Sequence, residues 1–318
     1  MSRRGGRGAP AGPPVDLTTT VGSVVLPNPV MTASGTAGHG DELGRYVDLS
    51  SLGAVVVKSL AAEPWPGNAA PRVHETPAGM INSVGLQGKG VPHWLEHELP
   101  PLLASGARVV ASIWGRSLED IALAAKLLAD APDGIVAVEV NVSCPNVEDR
   151  GRMFAHSPAT TIAALEAASV CGKPMWAKLS PNVTDLVSIA AAAETAGASA
   201  VTLINTVMGM TIDIEARRAR LGGKFGGLSG PAIHPVAVRA VFDVHAALPA
   251  LPIVGVGGVA RAEDAIELLM AGASAVQVGT ATFAEPRTVT HVREGMEEWC
   301  RAHQVRAITE LIGAAHER

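Results

Sequence analysis

"IVAVEVNVSCPN", Ile135–Asn146, begins as an apolar, β-branched run and ends with a thiol held between carboxamides. A short apolar run bounded by turn signals is the pattern of a strand buried on both faces, as in a parallel sheet covered by helices. Asn141, Ser143, Cys144 and Asn146 crowd the six positions where that strand ends. In parallel α/β proteins, reactive side chains gather beyond the carboxyl ends of the strands. The fold therefore turns on whether the rest of the chain repeats this unit.

It does. Strand-like runs at Val30–Ala33, Ala54–Lys58, Val109–Trp114, Ile135–Val142, Met175–Leu179, Ala200–Ile204, Ile253–Val256 and Ala275–Val278 alternate with helical stretches. The helices are expected at Asp41–Asp48, Pro92–Leu103, Leu118–Asp130, Ala159–Val170, Thr184–Ala196, Pro231–Ala247, Ala262–Ala271 and Thr288–His303. Eight alternations in a chain of this length predict a (β/α)8 TIM barrel; a doubly wound sheet would rarely need eight strands. A hairpin from Leu17–Thr20 and Ser23–Leu26 precedes the first unit. Two connections, 59–91 and 206–230, are too long for plain loops and follow strand C-termini. Both are expected to be functional insertions on the active-site face, the second serving as a lid. Residues 1–16, rich in Gly, Pro and Arg, read as a disordered tail, and 17–318 as a single barrel domain.

Bulk composition narrows the function. The 318 residues carry 25 Lys+Arg against 30 Asp+Glu, a net charge of −5, so no basic surface argues for nucleic acid. No stretch is apolar enough to span a membrane, and Arg3-Arg4 lacks the apolar segment of an export signal. Cys144, Cys171 and Cys300 show no CxxC spacing and read as reduced thiols in a cytoplasm, with no metal site. Cys171 and Cys300 fall on helices and read as core.

The strand ends are chemically unusual almost throughout. Ser34, Lys58-Ser59, Asn141, Lys178, Asn205-Thr206, Gly257-Gly258 and Gly279-Thr280 all stand just after or at the end of a strand. The last two pairs lie after strands seven and eight, the usual phosphate seat of this barrel, where free N–H groups face outward. Asn82, Asn141, Asn146 and Asn205 suit a flat ring with alternating C=O and N–H groups, because carboxamides both donate and accept. Lys58 and Lys178 end apolar strands, where a buried charge is costly without an anion.

Taken together, "NPVMTASGTAGHG", "VVVKSL", "PWPGNAAPRVHETPAGMINSVGLQGKGV", "EVNVSCPNVEDRG", "AKLSPNVTD", "INTVMGMTIDIEARR", "GGLSGPAIHPVAVR", "PIVGVGGV" and "AVQVGTATF" resemble the class 1 dihydroorotate dehydrogenases, in order and spacing, from Asn28 to Phe283. The insertion "GMTIDIEARR…GGLSGPAI" is most similar to the type B subgroup. That resemblance implies one FMN per chain, held by Ser34, Lys58, Ser59, Asn141, Lys178, Ile204, Gly230, Gly257, Gly258, Gly279 and Thr280. It implies a pyrimidine site of Lys58, Asn82, Ser83, Val84, Gly85, Leu86, Asn141, Asn205 and Thr206, with Asn146 added, and Cys144 as the catalytic base. Ser112 stands where the family usually has a flavin-contacting Asn, and a weaker contact is expected there. The resemblance further implies a homodimer core and a partner subunit carrying FAD and a [2Fe–2S] cluster that passes electrons to NAD.

On this reading Cys144 removes the C5 proton of dihydroorotate while a hydride leaves C6 for the flavin, in the service of pyrimidine synthesis. Pro145 holds the cysteine extended. Other readings stay open at this point. A dihydropyrimidine dehydrogenase-type enzyme would act on uracil or thymine through the same kind of base. A flavin-free isomerase or aldolase would use Lys58 or Lys178 as a Schiff-base nucleophile on a phosphorylated sugar. A non-catalytic phosphate-binding scaffold would need none of the strand-end chemistry. Fumarate and a quinone are alternative electron acceptors. "HWLEH", His93–His97, matches a zinc-binding pattern but lies on a helix expected outside the barrel.

Overall fold

The computed structural model describes residues 14–143 and 154–316. Its strands, in chain order, are β1 (Thr19–Val21), β2 (Val24–Leu26), β3 (Val30–Thr32), β4 (Val55–Val56), β5 (Val73–Thr76), β6 (Gly79–Asn82), β7 (Val109–Ile113), β8 (Ile135–Asn141), β9 (Met175–Lys178), β10 (Ala200–Leu203), β11 (Val207–Gly209), β12 (Ile212–Asp213), β13 (Arg218–Ala219), β14 (Gly226–Ser229), β15 (Ile253–Val256) and β16 (Ala275–Val278). Eight of them form one parallel sheet in the order β3-β16-β15-β10-β9-β8-β7-β4. A parallel bridge between Met31 and Ala54 brings the two edges together. The Thr32 hydroxyl seals this seam by donating to the Val56 carbonyl and accepting from its N–H, at 3.1 and 2.8 Å. This is the predicted (β/α)8 barrel.

Helices lie between the strands and begin where capping chemistry places them. Ser117, Ser157 and Asp185 each accept a backbone N–H of the first turn, opening helices Leu118–Leu127, Pro158–Ala168 and Leu186–Thr195. Helices His234–Ala247, Ala262–Met270 and Thr288–Ala302 complete the later units. Two predicted helices differ. Asp41–Asp48 holds only one short 3-10 turn, Glu42–Arg45, with a second, Leu49–Ser51, just beyond it; Gly44 in mid-segment weakens a longer helix. The helix over Val91–Ala104 contains a π turn at Trp94–Glu98. Pro100 and Pro101 lack the N–H groups that regular helix bonding requires there. His97 falls on this turn and His93 just before it, and they face Glu96 and Glu98 at 3.6 and 3.7 Å.

Side chains alternate along each barrel strand, and the interior is split by height. The lower layer is apolar: Met31, Val56, Val110, Ala137, Trp176, Ala200, Val254 and Ala275 pack together, closed from below by Val21, Val24 and Leu26 of the hairpin. Two residues further along the same strands stand Lys58, Ser112, Glu139, Lys178, Thr202 and Gln277, and Asn141 follows Glu139. The outward-facing set, including Val109, Val138, Val201 and Val276, packs under the helices in one continuous core. Cys171 and Cys300 are buried in that core, as expected.

The hairpin is antiparallel, with Gly22-Ser23 as its turn. Gly22 has φ +60, and a Cβ there would lie 2.8 Å from the Ser199 carbonyl, so the turn fits only glycine. The chain is fixed before Leu17. Asp16 exchanges backbone hydrogen bonds with Arg306 and Ile308, and Val15 packs on the core. Composition does not register that pairing, which reaches across the whole chain, and so it places the end of the tail at residue 16.

The two long insertions are not independent loops. β5 and β6 from the first join β11 and β14 from the second in one antiparallel sheet, β11-β14-β6-β5. Gly227 pairs with Asn82 and Leu228 with Ile81. β12 and β13 form a small ribbon beyond it. Among the described residues, no helix is long and apolar enough to cross a membrane.

Candidate active site

A cavity of about 1020 Å³ opens at the C-terminal ends of the barrel strands, beside the insertion sheet. Every barrel strand except β7 sends residues to its wall from its end or the loop that follows. Ser34 follows β3, Lys58-Ser59 follow β4, Asn141 ends β8 and Lys178 ends β9. Ile204, Asn205 and Thr206 follow β10, Gly257 and Gly258 follow β15, and Gly279 and Thr280 follow β16. The insertions contribute Asn82, Ser83, Val84, Gly85 and Leu86 from one side and Gly230 from the other. Ser112 is different. It is fully buried behind the wall, where its hydroxyl meets that of Ser59 at 2.9 Å. Its reach ends at Ser59, so it touches the cavity only through that residue. Cys144 and Asn146 lie outside the described residues.

The carboxamides form a connected set. Asn205 Nδ2 donates to Asn141 Oδ1 at 3.3 Å, and Asn141 Nδ2 donates to Ser59 Oγ at 3.3 Å. The Ser143 N–H also donates to Asn141 Oδ1, at 3.2 Å. Asn82 Nδ2 reaches the Gly227 carbonyl across the insertion sheet. These bonds fix the direction of each amide, which leaves the remaining donors and acceptors set for a planar ligand.

One end of the cavity is built from backbone. Gly257 and Gly258 have φ of +141 and +72, and Cβ atoms there would stand 2.7 Å from the Cβ atoms of Ala237 and His234. Only glycine makes this close turn. The N–H groups of Gly258, Val259, Gly279 and Thr280 donate to no acceptor among the described residues. The Thr280 hydroxyl donates to Ser229 Oγ at 2.7 Å. A cluster of free N–H groups in a glycine-lined concavity is an anion seat.

Two lysines supply the positive charge. Lys58 lies on the wall with no carboxylate within ion-pair distance among the described residues, and burial pushes its ammonium below the ordinary lysine range. Lys178 is buried and donates to Ser34 Oγ at 3.0 Å.

Several participants escape a reading of the sequence. Glu139 and Gln277 are fully buried beneath the cavity and bonded to each other. Their only local signal is a polar residue inside an apolar run. Asn182 donates to the Thr206 carbonyl at 3.0 Å and accepts from the Met208 N–H at 2.9 Å, tying the loop after β9 to β11. His156, Ser143 and Phe225 also reach the wall.

The family model described as dihydroorotate dehydrogenase matches residues 16–299. The chain belongs to the dihydroorotate dehydrogenase family. It is 48% identical over 303 residues to a protein of Desulforudis audaxviator, covering 95% of this chain and 98% of that one. It is 46% identical over 301 residues to one of Trichlorobacter lovleyi, covering 94% and 98%. A third relative, from Desulforamulus reducens, is 46% identical over 304 residues, covering 95% and 99%. All three are named dihydroorotate dehydrogenase B (NAD(+)), catalytic subunit. The class 1, type B resemblance read from the motifs is thus the family's own, over nearly the full length.

Proposed function

We propose that this chain oxidises dihydroorotate to orotate in de novo pyrimidine biosynthesis, as the cytoplasmic catalytic subunit of a two-component enzyme. The observation that carries this reading is the single cavity in which the carboxamides, both lysines and the glycine-lined anion seat converge. Near-full-length identity to proteins named for this activity supports it.

The cavity suits one FMN. The unused N–H groups of Gly258, Val259, Gly279 and Thr280 would take its phosphate, and Ser34, Lys58, Ser59, Lys178, Ile204 and Gly230 would hold its ring system. When bound, FMN supplies the acceptor for the hydride that leaves C6 of the substrate. The chain's own residues do the rest. Asn82, Asn141 and Asn205 grip the pyrimidine edges, with Thr206, the 83–86 loop and Asn146 beside them. Lys58 offsets the substrate's negative charge, and its lack of a described protein counter-ion supports that role. Cys144 Sγ takes the C5 proton as the C5=C6 double bond forms. Its position in the chain, directly after the wall residue Ser143, supports this assignment. The insertion sheet excludes water from the reacting face.

The onward route of the electrons is part of the same proposal. A partner subunit carrying FAD and [2Fe–2S] relays them to NAD, and two copies of this chain form the core. Three cysteines cannot furnish the four thiolates of an iron–sulfur centre, which favours placing it on the partner.

The test uses purified protein offered FMN and then dihydroorotate without oxygen. Uptake of the flavin followed by loss of its visible absorbance is expected, with no such loss on adding dihydrouracil. A preparation that refuses FMN, or one whose bound flavin stays oxidised with dihydroorotate, overturns the proposal.

A further inference from the structure

The residues that line the cavity do not account for a carboxylate buried directly beneath it. Glu139 is fully inaccessible, one step below Asn141 on β8. An ion in that position is tolerated only when paired and hydrogen-bonded. Its Oε2 accepts from Gln277 Nε2 at 2.7 Å and from Thr202 Oγ1 at 3.1 Å. Its Oε1 accepts no hydrogen bond and stands 3.8 Å from Lys178 Nζ. No other cation lies within ion-pair distance of it among the described residues.

The lysine is held from several sides. Lys178 Nζ donates to Ser34 Oγ at 3.0 Å and to Gln277 Oε1 at 3.4 Å. The Gln277 amide therefore bridges the pair, donating to the carboxylate and accepting from the ammonium. Lys178 is on the cavity wall and Glu139 is not. The cavity thus meets a cation whose counter-charge sits one layer deeper, on a neighbouring strand.

We propose that Glu139 is a positioning residue that aims Lys178 and offsets its charge, and thereby sets the reduction potential of the bound flavin. This inference rests on the FMN reading above. Reduction adds negative charge to the flavin. In a water-poor interior a nearby unbalanced cation favours the reduced form, and an unbalanced anion disfavours it. The intact pair is close to neutral. Each single neutralisation therefore moves the potential in an opposite direction, and neutralising both cancels the shift.

The experiment measures the two-electron potential of the full chain saturated with FMN, by titration against a reference dye. Wild type, Glu139→Gln, Lys178→Gln and the double variant are compared. Glu139→Gln is expected to shift the equilibrium at least tenfold towards reduced flavin, about 30 mV upward for a two-electron couple. Lys178→Gln shifts it at least tenfold the other way, and the double variant returns to within about threefold of wild type, as a coupled pair does in a mutant cycle. A folded, flavin-loaded Glu139→Gln protein with an unmoved potential overturns the inference. So does a double variant that matches Lys178→Gln, a comparison that stands even if Glu139→Gln does not fold. Failure of the underlying FMN reading is separately visible, since the wild type would then take up no flavin.

Discussion

The lower and upper halves of the barrel interior are made by the same strands, two residues apart, and they obey different rules. Below, Ala137, Trp176, Ala200 and Ala275 pack against the hairpin and exclude every charge. Above, Glu139, Lys178, Thr202 and Gln277 occupy the next inward positions and are knit by hydrogen bonds and an ion pair. Alternation along a strand fixes which residues face inward, but not what chemistry they bring. The difference shows that stability and reactivity can be separated along a few ångströms of one strand. The hairpin plug carries part of the first and frees the opposite mouth for the second.

Changes to the groups proposed to meet substrate should cost catalysis more than stability, and changes in the lower layer should do the reverse. The largest effect is expected from Cys144→Ser. Loss of the proposed base should lower turnover by about 10²–10⁴-fold, while the urea midpoint stays near wild type. Steady-state rates and unfolding curves on one preparation check both halves of that statement. Trp176→Ala empties the lower layer and costs about 3–5 kcal/mol in unfolding free energy. The refolded fraction should still bind FMN and turn over at close to the normal rate. Asn205→Ala sits on the upper side. It removes the donor to Asn141 and should raise KM for dihydroorotate about tenfold, or ~1.4 kcal/mol, with a smaller change in stability.

The smallest effect concerns Lys58, and its sign follows from its burial. Its ammonium is pushed below the ordinary value of 10.5 in the folded protein. Between the folded and unfolded values the unfolded chain binds more protons, so stability of the flavin-free protein rises with pH there. The contribution is complete above 10.5 and is lost as pH falls through the folded value. Urea midpoints across the alkaline range should therefore slope less steeply in Lys58→Met. An unchanged slope would mean that the ammonium is not strained by its surroundings.

Much of this architecture was legible in the chain. The eight β-branched runs carry the barrel because burial on both faces leaves a continuous apolar signal that needs no knowledge of partners. Lys58, Asn141, Lys178, Asn205 and the two glycine pairs were visible because they interrupt that signal at strand ends. What stayed hidden depends on distant pairing. Nothing local in "GMIN" and "GGLS" says that residues 145 positions apart, Asn82 and Gly227, share a sheet. Glu139 is conspicuous inside "IVAVEVN", but its partners come from β9, β10 and β16 and only closure of the barrel brings them together. Ser112 was expected at the flavin. Its hydroxyl meets that of Ser59 at 2.9 Å, a pairing between β7 and the segment after β4 that no local pattern announces.

The insertion sheet has one more consequence. Because β6 and β14 are bonded strand to strand, neither loop can swing without dragging the other, and a widened entrance requires both to travel as one panel. Anyone transplanting substrate preference from a relative would have to exchange the two segments as a matched set. A single-segment chimera would pair strands whose cross-strand side chains were not matched to each other.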